Sequence, residues 1–291
     1  MRTDIRYVNR RGESIELGGS VESLHYLKHE LRNWEWSYST GKGSGRVTSF
    51  SRRPSKPTKV KLPVGIAAKT AAEGIELRNL VLSIGEPDVA AGEPGELWVG
   101  DWSMRCWIVA GEPGKYWQDD RYAEMTLTLL VEDPSWVRPS ERTLVPETAS
   151  AAGGRDFPRD FPRDFPFDLR RERASTTLSV AGEFPSPFLW RVYGPVTSPY
   201  IRVAGNLYRV NVEVPEGARL EVDSRERTVA LVLRDGTAVN VYSKRERGAS
   251  GSGSYIFEPM PCGDSDLAWG NDCRMDLVTY EVRTAAPYEE G

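Results

Sequence analysis

Few residues in this sequence have types and spacing suited to chemistry. The only two histidines, His25 and His29, stand four apart, a spacing that puts two imidazoles on one face of a helix as zinc ligands. Such a site needs a third donor, and Glu22 and Glu30 are the near candidates; without it, both are surface histidines. Thr40-Gly41-Lys42-Gly43-Ser44-Gly45 is glycine-rich like a phosphate-cradling loop. Its lysine is followed by glycine, however, where that loop needs Ser or Thr at a helix start. Between Cys262 and Cys273 lie Asp264, Asp266, Asn271 and Asp272, but Ala268 falls where a helix-loop-helix calcium loop needs an oxygen ligand. The stretch is either a polar loop with two reduced thiols or a hairpin whose cysteines bridge once outside the cell. Asp119-Asp120 and Glu132-Asp133 supply carboxylates without a spacing that singles out an acid/base pair. Serines of the second half have no histidine partner, because both histidines lie near the N-terminus. The expectation is a protein with no catalytic, metal-binding or cofactor-binding residues, hence no enzyme.

The elements that would position these residues are mostly strands. Ile5 to Val8 and Ser14 to Leu17 flank Asn9-Arg10-Arg11-Gly12, a hairpin pattern. Leu24, Leu27, Leu31 and Trp34 recur at helical spacing while Trp34, Trp36 and Tyr38 alternate, which predicts a short turn or helix running into a strand. Gly41 to Gly45 and the basic run from Arg52 to Lys61 read as a long loop and an extended arm. At least one helix is expected between Ile66 and Ile84, though Gly74 weakens the pattern. Leu97 to Trp102 and Met104 to Val109 read as strands around a turn at Gly100. Tyr122 to Val131 alternates Met125, Leu127, Leu129 and Val131 with polar neighbours, a half-buried strand ending at Asp133-Pro134.

Arg155 to Leu169 then repeats Arg-Asp-Phe-Pro three times. Proline restricts the residue before it and donates no amide hydrogen, so the run is an extended connector or edge. Beyond it, strand patterns recur at Thr177–Ala181, Phe188–Tyr193, Tyr200–Val203, Leu207–Val214, Arg219–Val222, Thr228–Leu233, Ala238–Tyr242, Tyr255–Phe257 and Met275–Val282, with turn residues between them. The predicted architecture is mainly β. An N-terminal α+β domain (1–147) leads through a Pro/Phe-rich linker (148–172) to a C-terminal antiparallel β-sandwich (173–291).

Composition excludes several classes of function. With 291 residues, 39% hydrophobic and 27% charged, the chain supports two folded domains. A net charge of −4 lacks the basic excess of a nucleic-acid binder. No apolar run approaches the ~20 residues needed to span a bilayer. Nothing at the start resembles a signal peptide, so synthesis in the cytoplasm is expected. Three cysteines make no disulfide framework. Nine Trp and twelve Tyr suit either aromatic-rich cores or large contact surfaces.

The sequence resembles the distal tail proteins of siphophages. The resemblance is carried by the opening hairpin Tyr7 to Ile15 and by Leu97-Trp98-Val99-Gly100-Asp101 leading to Met104-Arg105-Cys106-Trp107. It continues in a long strand closing on Asp133-Pro134-Ser135-Trp136 and in the Phe-Pro-rich seam before the second domain. It implies a virion protein at the distal end of the tail, assembled in the host cytoplasm. In that family, N-terminal domains form a six-membered ring and galectin-like sandwiches project outward. The implied partners are other copies of the chain, the major tail tube protein and the tail-tip hub, with tape-measure and receptor-binding proteins as further neighbours. DNA would pass through the ring without sequence-specific contact, and no membrane or catalytic residue is implied. A competing expectation is a carbohydrate-binding sandwich in which Trp190 and Trp269 stack on sugars. A cell-wall glycosidase or peptidase is a third.

Overall fold

The computed structural model describes residues 5–18, 23–51, 56–114, 119–146, 173–270 and 272–288. Glu22, residues 52–55, Asn271 and the predicted linker 148–172 with its repeats lie outside the described residues. The fold is mainly β, as predicted. The chain divides into two compact units, residues 1–138 with 282–291, and residues 139–281. The first boundary therefore precedes position 147, and the C-terminal end belongs to the first unit rather than to the sandwich. Sequence pattern hides the second boundary, because it falls inside one uninterrupted strand, Met275–Arg283.

In the first unit, β1 (Ile5–Val8) and β2 (Ser14–Leu17) form the expected hairpin, followed by β3 (Leu24–Tyr26), β4 (Ser37–Thr40), β5 (Val47–Ser51) and β6 (Thr58–Ala67). Helices α1 (Ala71–Ser83) and α2 (Glu86–Ala91) precede β7 (Gly95–Val99), β8 (Trp102–Pro113), β9 (Tyr122–Val131) and β10 (Trp136–Leu144). The strands run β2-β1-β7-β8 in one direction and β8-β9-β6-β3 in the other. Strand β8 belongs to both sets: residues up to Cys106 pair with β7, and residues from Trp107 pair with β9. A register shift between Ile108 and Ala110 bends the strand where it changes partner. Alternate residues of these strands fill one core, including Tyr7, Leu97, Trp102, Met125, Leu127 and Trp136.

Helix α1 starts at Thr70, whose Oγ1 accepts from the Glu73 amide at 3.2 Å, while the Glu73 carboxylate accepts from the Lys69 amide at 2.8 Å. These bonds satisfy amides that have no partner within the helix. Gly74, which weakens the helix pattern in the sequence, is buried. A Cβ there would lie 2.0 Å from the Asp120 carbonyl oxygen. Gly74→Ala would raise the stability of an isolated helix by roughly 1 kcal/mol; here it is expected to lower the melting temperature, because the backbone of 120–121 has to move. Thermal unfolding followed by circular dichroism checks the sign.

Helix α2 is pinned to the opening hairpin. The Tyr7 hydroxyl donates to Asp88 Oδ2, and the Arg10 amide donates to Asp88 Oδ1 at 2.7 Å. Asn9 holds the turn from inside: its Oδ1 accepts from the Arg11 and Glu13 amides at 3.0 Å each. Its Nδ2 reaches the Ile84 carbonyl at 3.2 Å. Burial, and then the hydrogen bond to Asp88, push the Tyr7 phenol far above its ordinary pKa, so it remains a donor.

The second unit is the expected sandwich. Its strands are β11 (Arg173–Val180), β12 (Phe188–Tyr193), β13 (Val196–Thr197), β14 (Tyr200–Val203), β15 (Asn206–Arg209), β16 (Glu213–Val214), β17 (Arg219–Asp223), β18 (Thr228–Val232), β19 (Ala238–Asn240), β20 (Gly263–Gly270) and β21 (Met275–Arg283). One sheet runs β19-β18-β17-β12-β21, the other β11-β20-β14-β15. Both contribute to a single core, with Trp190, Leu220 and Leu277 from the first and Ile201, Tyr208 and Leu267 from the second. Two expectations fail locally. Tyr255–Phe257 forms an isolated bridge at Tyr255 rather than a strand, and 207–214 divides into β15 and β16.

Candidate partner surface

The described residues most open to a partner lie in the first unit. Strands β4 and β5 pair only with each other, and every residue in both is exposed. The glycine-rich stretch is therefore a hairpin turn and not a loop approaching a helix. The Gly41 amide donates to the Arg46 carbonyl at 2.9 Å, and Gly43 and Gly45 supply positive φ. Ser37 opposes Ser51, Ser39 opposes Ser49 and Tyr38 opposes Phe50. A register shift beyond Ser39 then sets Thr40 opposite Val47, leaving Thr48 as the additional residue. The Thr48 hydroxyl closes this bulge by donating to the Ser39 carbonyl at 3.1 Å.

Directly opposed residues in a sheet share a face, and alternate residues along a strand do too. The bulge thus moves Val47 onto the face of Tyr38 and Phe50, leaving four serines on the other. Trp36 meets the Phe50 ring edge-on at 6.5 Å between centroids, extending the apolar face. Tyr38 and Phe50 are each 66% exposed. Two-stranded hairpins have marginal stability in water, so an amphipathic one with an uncovered aromatic face is suited to a partner.

A second apolar feature lies beside the helices. An open groove of about 380 Å³ is lined by Val81, Leu82, Val89, Ile108, Met125 and Leu127, with Glu86 at its polar side. Leu82 and Val89 are more than half exposed. Two glycines keep the groove shallow: a Cβ at Gly85 would sit 2.7 Å from Ile108 Cβ, and one at Gly111 would sit 3.2 Å from Met125 Sδ.

The residues singled out for chemistry are not brought together. His25 lies on β3 and His29 beyond it, so their spacing puts them on no common helix face. The His29 ring packs edge-on against Tyr26 at 5.4 Å between centroids, and burial, then the Arg32 charge, lower its pKa. Among the described residues, no group of three or more His, Cys, Asp and Glu side chains could hold a metal. Asp119 forms an ion pair with Arg121 at 3.0 Å. The stretch after Cys262 is a strand, β20, rather than a polar loop; Leu267 and Trp269 point into the core while Asp264 and Asp266 stay outside.

Trp190 and Trp269 cannot stack on a sugar as they stand, being 0% and 6% exposed in the sandwich core. That removes the two residues on which the carbohydrate-binding expectation rested. The tryptophans of the first unit divide between the two expected roles, since Trp102 and Trp136 are fully buried and Trp34 is 62% exposed.

All three cysteines are free thiols. Burial, then the nearby Asp88 and Glu96 carboxylates, push Cys106 well above the ordinary thiol range; burial, then Asp272, push Cys273 up to about 12. Thiolate is the reactive form. Native protein is therefore expected to give one fast-reacting equivalent with a thiol reagent, Cys262, and three after unfolding. Peptide mapping of the labelled product identifies the site. Two fast equivalents, or none together with a non-reducible loss of Cys262 and Cys273, would contradict these environments.

The order of elements, from the opening hairpin through an α+β unit with a long shared strand to a sandwich and a final strand returning to the first unit, is the fold of phage tail-tip proteins. The chain is similar over 97% of its length to 99% of the Dit protein of phage SPP1, whose structure is described as a paradigm of the hub adsorption apparatus in phages infecting Gram-positive hosts; the TM-score is 0.52 and the identity 10%. It is also similar over 98% of its length to the whole of a chain in the phage P2 baseplate in its activated conformation with calcium, with a TM-score of 0.61 and 10% identity. The same baseplate with strontium gives a TM-score of 0.61 at 9% identity. The likeness is one of fold and extends across both units. No protein-family model matches the sequence, and neither does any curated protein.

Proposed function

We propose that this chain is a structural component of a phage tail tip: an adaptor that assembles with copies of itself into a ring, of six subunits, between the tail tube and the hub, baseplate or fibre proteins. The observation that carries the reading is the end-to-end likeness in fold to tail-tip proteins, which spans both units and not one common module. The surface chemistry supports it. A closed ring requires two different complementary patches on each subunit, and the first unit offers an aromatic hairpin face and an apolar groove. Its role is to hold neighbours in place around a channel for DNA, and no bond is made or broken by it. The virion is its place of action, reached by assembly in the host cytoplasm.

Electron microscopy of the purified chain, alone and mixed with the tail tube protein encoded alongside it, tests this reading. Rings with a central opening that cap tube ends are expected. Particles that never close into rings and never bind tubes would refute it, as would turnover of cell-wall substrate by the purified chain.

A further inference from the structure

We infer that the β4–β5 hairpin of one copy docks, aromatic face down, into the apolar groove between α1–α2 and β8–β9 of the next copy. This inference rests on the reading of the chain as a self-assembling ring component and names the contact that closes the ring.

Shape, polarity and charge all favour this occupant. The hairpin presents Tyr38, Val47 and Phe50 on one face, with Trp36 at its base, and nothing within its own subunit covers them. The groove offers a floor of Ile108, Met125 and Leu127 and walls of Leu82 and Val89. Its volume of about 380 Å³ lies in the range that takes one or two aromatic side chains. Glycines at 85 and 111 keep the floor low enough for rings to enter.

Residues 37–51 contain Lys42 and Arg46 at the turn and no carboxylate. Residues 71–93 contain Glu73, Glu76, Glu86 and Glu93 besides the buried Asp88, with Arg78 as the sole cation. Arg78 is directed onto the carbonyls of Asp119 and Tyr122 at 2.5 and 2.8 Å. A cationic aromatic hairpin thus faces an acidic apolar groove. Such pairing steers two copies together and disfavours hairpin-to-hairpin or groove-to-groove contacts, in which like charges meet. A hairpin-to-groove contact is also heterologous, the kind that generates rings when the rotation closes.

The test uses the full chain with a photoreactive phenylalanine analogue at position 38 or 50, mixed with isotopically heavy copies lacking it. Irradiation is expected to join light hairpin peptides to heavy peptides from 81–90 or 108–111. Leu82→Lys and Val89→Lys alter exposed side chains and are expected to keep the melting temperature. Each should lower the yield of that cross-link and weaken self-association by about tenfold or more, as loss of an interface anchor does. If rings form but cross-links fall elsewhere, or only within one copy, the docking is overturned while the ring reading survives. If neither assembly nor heavy–light cross-links occur at any concentration, both fall.

Discussion

Trp190→Ala is expected to destabilise the second unit by about 3–5 kcal/mol, the cost of emptying a buried aromatic site. Trp190 is fully buried on β12, which lies between β17 and β21 in the sheet. Its neighbours on those strands, Val222 and Leu277, are fully buried as well, so little can move in to fill the space. For a unit of this size, the melting temperature should fall on the order of 10 °C. The indole Nε1 is buried and has no hydrogen-bond partner among the described residues. Trp190→Phe therefore removes an unpaired donor along with part of the ring and should cost far less than the alanine change. Calorimetry of the two variants separates these effects. Equal losses would mean that the indole N–H has a partner, or that the site does not collapse as a packed core would.

Asp88→Ala is expected to cost the first unit about 2–5 kcal/mol. It leaves two buried donors, the Tyr7 hydroxyl and the Arg10 amide, without the acceptor that serves both, and each unsatisfied group costs about 1–3 kcal/mol. The space beside them is closed, because a Cβ at Gly95 would already lie 2.5 Å from Tyr7 Oη and 2.6 Å from Asp88 Oδ2. Tyr7→Phe should cost less, since Asp88 keeps its bond from the Arg10 amide. The double variant should lose less than the sum of the two, because one interaction is removed in both. Chemical denaturation of the four proteins measures that coupling. The consequence extends to assembly, since α2 carries Glu86 and Val89 of the groove wall. Asp88→Ala is thus expected to weaken self-association without touching the groove directly.

Much of the framework was legible in the sequence because burial imposes alternation. Tyr122–Val131 and Phe188–Tyr193 both appear at their predicted limits, each with every second side chain in a core and turn residues nearby. The β4–β5 hairpin was not legible in this way. With every residue exposed, it carries no hydrophobic alternation of the usual kind. The available signal was subtler: Ser-Tyr-Ser and Ser-Phe-Ser flanking a turn of glycines, polar on one face and aromatic on the other. Strand β20 was hidden by Gly263, Asp264, Ser265 and Asp266, residues of low strand propensity, although Leu267 and Trp269 alternate inward. Gly74 weakened the helix pattern because its value lies in the space beside Asp120, a long-range fact. Tryptophan content alone could not separate core from contact surface, since both bury aromatic area. Trp102 and Trp34 differ in what surrounds them, not in what they are.

The account depends on self-association through the first unit, and the mass of the assembled chain in solution tests this most directly. Light scattering on the purified protein across a wide concentration range should show a discrete species near 196 kDa, about six times the 32.6 kDa chain. Raised salt should shift it toward monomer as the hairpin and groove charges are screened. A single 32.6 kDa species at every concentration, low salt included, would contradict it.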